Sequence, residues 1–169
     1  MYGGGALPPP VPSAGPARGP AAPDRRVVDA VVTTRRERQE ALLRPGAARA
    51  EFVLSESCLR RVVGGGAVMR GQLDHLAALA RRRNVRIRVL PFDSAAGGSA
   101  FTFTLLRVPA PTSAPPLELV YVESLHDADY LDGDREVADY ARLWDGLAAG
   151  ALGPERSRHF LEDVARRHA

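Results

Sequence analysis

The stretch VMRGQLDHLAALARRRNVRIRVLP, residues 68–91, decides how this chain folds, because its hydrophobic period changes part-way along. Val68, Met69, Leu73, Leu76 and Ala80 recur at steps of three or four, so they share one face of an amphipathic helix. Arg81-Arg82-Arg83-Asn84 follows, and cations there suit the negative end of the helix dipole. From Val85 to Leu90 apolar residues alternate with Arg86 and Arg88, the period of a strand with one wet face, and Pro91 stops it. A helix that feeds directly into a strand marks a mixed α/β unit.

Towards the N-terminus, Val28, Val31, Val32 and Leu42 support a helix over 27–44, closed by Pro45-Gly46. Glu51-Phe52-Val53-Leu54 reads as a short strand, and Ser55 can cap a short helix over 56–62. Gly64-Gly65-Gly66 forms the loop before the central helix. Towards the C-terminus, strands are expected over 101–108 and 117–123, joined by the Pro-rich 109–116, with a short edge strand over 128–131. Val137, Tyr140, Ala141, Trp144, Leu147 and Ala148 line one side of a helix over 134–150. Pro154 opens the last helix, from which Phe160, Leu161 and Val164 point inward. The expected fold is therefore α/β (α+β mixed), a central sheet of about four or five strands flanked by amphipathic helices.

Residues 1–26 hold half of the Pro and few large apolar side chains, so they cannot offset the entropy of being ordered. They are expected to be a disordered Pro/Gly/Ala-rich tail, and 27–169 a single domain with one core. Every basic residue is Arg, and two units of the net charge of +3 belong to the tail, which leaves the folded part nearly neutral. The basic balance is thus a weak sign of nucleic acid. A single cysteine, Cys58, excludes an intramolecular disulfide and fits a reducing compartment. No membrane span or signal peptide is visible, so the expected location is cytoplasmic.

The ordered set of motifs resembles one family. The set runs through Leu54-Ser55-Glu56-Ser57-Cys58-Leu59-Arg60-Arg61, Val63-Gly64-Gly65, Val68-Met69, Gln72-Leu73 and Val89-Leu90-Pro91-Phe92-Asp93. It continues with Phe103-Thr104-Leu105-Leu106, Val120-Tyr121-Val122-Glu123, Tyr130-Leu131, Tyr140 and Trp144-Asp145. It resembles the actinobacterial, Streptomyces-type domain of unknown function that follows an Xre/Cro-family helix-turn-helix in transcriptional regulators. The resemblance implies the sensing or partner-binding half of a regulator, in a setting where a small partner protein is often encoded nearby. Here residues 1–26 stand where a helix-turn-helix would, so direct DNA binding by that route is not expected.

The polar residues of interest are Glu56, Arg60, Arg61, Gln72 and Glu123. Glu56 and Arg60 are one helical turn apart; they either fix a helix as an i,i+4 pair or place a carboxylate opposite an anion-binding guanidinium. Glu123 ends an apolar strand, where Tyr121 and Phe103 offer aromatic walls to a pocket. The glycine run lacks the Lys and Ser/Thr of a phosphate loop and reads as a flexible helix start. Cys58 with His75 or His126 reads as packing rather than catalysis. Asp127, Asp129, Asp132 and Asp134 miss the EF-hand register, so no metal and no cofactor is expected. The Arg runs at 35–38 and 81–88 read as solvated faces. These residues point to a binding site for a small molecule or a small partner protein, between the sheet and the helices that carry Arg60, Arg61 and Gln72. The alternative is a cofactor-independent enzyme of secondary metabolism, in which Glu123 and Arg61 would serve acid/base cyclisation or isomerisation. A homodimer is compatible with either.

Overall fold

The computed structural model describes residues 24–96, 102–110, 113–123 and 127–168. Most of the expected tail, residues 1–23, lies outside these, as do Phe101 and His126. Chain contacts divide the protein between Leu43 and Arg44, inside the span that the sequence reads as one domain. On the N-terminal side the described part is one helix, α1 (Arg25–Leu43). It starts before the expected Val27 because Asp24 caps it. The Asp24 carboxylate accepts the Arg26 N–H at 2.9 Å, and its carbonyl accepts that of Val28 at 3.1 Å.

On the C-terminal side the order is β1 (Ala50–Ser55), α2 (Glu56–Arg60), α3 (Gly66–Leu79), β2 (Val85–Leu90), β3 (Phe103–Val108), β4 (Leu117–Glu123), β5 (Ala128–Leu131), α4 (Asp134–Gly150) and α5 (Pro154–Arg166). β1 and β2 pair in parallel, from Ala50 with Val85 to Ser55 with Leu90, and α2 and α3 make the crossover that parallel strands require. The alternation in the deciding stretch appears as burial: Val85, Ile87 and Val89 are buried and Arg86 is exposed. Met69, Leu73 and Ala77 of α3 pack with them, as do Leu161, Val164 and Ala165 of α5. Each fully buried aliphatic side chain contributes ~2 kcal/mol. Gly66 allows the close approach, since a Cβ there would stand 3.2 Å from the His168 carbonyl oxygen. Gly64 and Gly65 have φ of 74° and 92°, so the glycine run is a turn that other residues would strain.

β3, β4 and β5 form a separate antiparallel sheet in that order, with α4 against one face. The Phe103 and Tyr140 rings meet there at 5.2 Å, and Val120 and Leu147 are buried. The mixed α/β class is as expected; the single central sheet is corrected to one sheet of two strands and one of three. One reason lies at Val89, which turns its backbone groups away from β1. Its N–H is accepted by the Ser157 hydroxyl at 2.9 Å and its carbonyl accepts the Leu152 N–H at 2.8 Å. The α4–α5 connection and the first turn of α5 thus occupy the outer edge of β2, one of the two edges at which a third strand could join. Among the described residues, no helix is long and apolar enough to cross a membrane.

Candidate functional site

The chain leaves β1 at Ser55, whose hydroxyl accepts the Ser57 N–H at 3.3 Å and caps α2 as the sequence suggests. The cap turns Glu56 into the interior, where it is 7% exposed. One carboxylate oxygen accepts Arg60 Nε at 2.5 Å, and the other accepts the Phe92 backbone N–H at 3.0 Å. Phe92 lies two residues beyond β2, so this one side chain ties together the carboxyl ends of both parallel strands. The Arg60 guanidinium sits 5.4 Å from the centre of the Phe160 ring, which brings α5 into the cluster.

Burial pushes the Glu56 carboxyl up. The Phe92 N–H, Arg60 and the charge of Arg167 together outweigh burial and hold it below its ordinary 4.5. A carboxylate so engaged is an anchor at neutral pH, with no proton to give and no free oxygen to take one. Because its folded value is depressed, the stability it supplies is present above pH 4.5 and is lost as pH falls through that lower value. Thermal melts below pH 4.5 should therefore fall more steeply for the native chain than for Glu56→Gln. Parallel slopes would show that the carboxylate gains nothing on folding.

The rim above this anchor lies at the carboxyl ends of parallel strands, where open α/β sheets bind their ligands. Arg61 is exposed there and makes no ion pair among the described residues. The Phe92 side chain is 68% exposed, and Val62 and Val63 are also largely open. An exposed cation next in sequence to open apolar side chains suits recognition of an anionic, partly apolar group.

The other candidates are spread out. Gln72 is exposed on α3, whose neighbouring Met69 and Leu73 are buried. Glu123 is exposed at the end of β4, and no hydrogen bond or ion pair joins it to Arg61 among the described residues. Phe103 pairs with Val122 and Thr104 with Tyr121, so Phe103 and Tyr121 stand on opposite faces of their sheet. They do not form two walls of one pocket. The Cys58 thiol donates to the Ser55 carbonyl at 2.9 Å, and partial burial pushes it up, away from thiolate. His75 is exposed on α3.

The second Arg run is only partly solvated. Arg86 pairs with Glu51 at 2.9 Å beside an open groove of about 470 Å3 that Arg49, Arg82 and Arg83 also line. Arg88 is half-buried and donates to the Ala148 carbonyl at 3.0 Å, near the end of α4. The sequence reading missed Phe92 as a member of the Glu56 cluster and Ser157 as its neighbour on the β2 edge. A Pro-Phe-Asp run after a strand hints at the first; nothing in the pattern marks a serine in a helix as a strand partner.

A family model described as a domain of unknown function (DUF5753) matches residues 16–163. The chain belongs to this family. The match runs through both parallel strands and the whole Glu56 cluster apart from Arg167, so these are parts of the family's domain. No curated protein and no solved structure matches the chain.

Proposed function

We propose that this DUF5753 chain is a non-catalytic sensory or partner-binding domain of the kind found in actinobacterial Xre-type regulators, and that it binds a small molecule or a small partner protein. The observation that carries the reading is the build of the rim. The one buried carboxylate among the described residues is spent on holding the strand ends together, while Arg61 and Phe92, on the segments it joins, are exposed. A site that recognises needs a rigid base and open contact groups, and it needs no poised acid or base. The cytoplasm is the compartment consistent with a regulator's partner.

Native mass spectrometry of the protein purified from the cells that make it tests this. The native chain should carry a bound small molecule or small protein. Arg61→Ala with Phe92→Ser should lose it while keeping the melting temperature, since both side chains are exposed and surface changes cost about 0.5 kcal/mol or less. A bare native chain overturns the proposal. Turnover of a bound small molecule on incubation would replace it with the enzymatic reading based on Glu123 and Arg61.

A further inference from the structure

An antiparallel sheet with one face in water normally alternates apolar and polar side chains. The β3–β4–β5 sheet does not. Its register sets Thr104, Leu106 and Val108 of β3 beside Tyr121, Leu119 and Leu117 of β4, and Tyr121 beside Tyr130 of β5. Phe103, Leu105, Val120 and Val122 lie on the opposite face, which α4 covers. On the open face Leu106, Val108, Leu117 and Tyr130 are 40%, 50%, 53% and 68% exposed. The Tyr121 and Tyr130 rings pack at 5.1 Å and extend the apolar surface to the last strand. Charged residues make up 25% of the chain, yet the only one that the register places on this face is Glu123, at its far end.

We propose that this face is a homodimer interface, in which two copies pack their three-stranded sheets against each other. Two arguments select a second copy as the occupant. A twofold contact sets each surface against itself, so a charged face would repel its copy, whereas this face brings no like charges together at its centre. The area also suffices. The four exposed side chains with Thr104 and the half-buried Leu119 and Tyr121 present ~500 Å2, so two copies that bury all of it reach ~1,000 Å2, the threshold for a specific interface. Sheets packed in this way sit about 10 Å apart, a spacing that leucine, valine and tyrosine side chains fill. The contact is separate from the Glu56 rim, so either proposal can fail alone.

Sedimentation velocity of the full chain across a concentration series is the test. The native protein should pass from 18.1 kDa to twice that mass as concentration rises. Leu106→Glu should weaken the dimer by about tenfold or more, because the symmetry buries the new charge twice. Tyr130→Ser alters a mostly exposed side chain, so it should weaken the dimer and leave the melting curve of the monomer in place. If Leu106→Glu fails to fold, Tyr130→Ser decides. A native chain that stays monomeric to about 100 μM overturns the proposal. So does a dimer that neither substitution weakens, which would place the contact on another surface.

Discussion

Glu56→Ala is expected to lower the unfolding free energy by about 3 kcal/mol in urea titrations, with little change in the slope. The substitution removes a carboxylate that is 7% exposed and bonded through both oxygens. Arg60 keeps the contact with Phe160 and, with a side chain 37% exposed, can turn its charge towards water. The cost therefore falls at the lower end of what breaking a buried pair does. What is lost is the acceptor of the Phe92 N–H and the packing of the side chain. Glu56→Gln keeps an oxygen for Phe92 and should cost about half as much. A loss below about 0.5 kcal/mol for Glu56→Ala would mean that the strand ends hold together without it.

Ser157→Ala should cost about 2 kcal/mol and should expose one amide in particular. Ser157 is fully buried, and its hydroxyl accepts from Val89 N–H at 2.9 Å and donates to the Leu152 carbonyl at 3.0 Å. Alanine removes the partner of both groups next to the core. Hydrogen exchange followed residue by residue should show Val89 losing protection ahead of Arg88, whose N–H faces β1 in the parallel ladder. Uniform loss along β2 would mean that global unfolding, and not release of this edge, is what the substitution changes.

These effects concern the parts of the protein that were hardest to read from residues alone. The helix and strand of residues 68–91 were legible because the two periods differ so plainly, and Val85, Ile87 and Val89 are buried as that period requires. Ser55 was legible as a cap for the same local reason: a hydroxyl reaches an N–H two residues on. The Glu56–Arg60 spacing was legible too, and the two side chains meet at 2.5 Å. That Phe103 and Tyr121 stand on opposite faces, and not as neighbouring walls, was not legible. Both residues lie on apolar strands, and the sequence carries no mark of which register joins them. Since side chains alternate with a period of two, a shift of one residue moves a side chain to the other face.

By itself the sequence determined what depends on neighbours along the chain: the periods, caps and turns, the order of helices and strands, and the mixed α/β class. Those properties rest on steric and hydrogen-bonding preferences that act over a few residues. Only the tertiary structure decided how many sheets the strands make, because pairing joins residues far apart in the chain, and Ser157 and Leu152 close one edge of β2 from more than sixty residues away. It also decided that Glu56 serves as an anchor, since the second bond of its carboxylate comes from Phe92, across the crossover. Whether an apolar face is covered depends on which helix packs on which side, and the open face of β3–β4–β5 became visible only with α4 in place on the other.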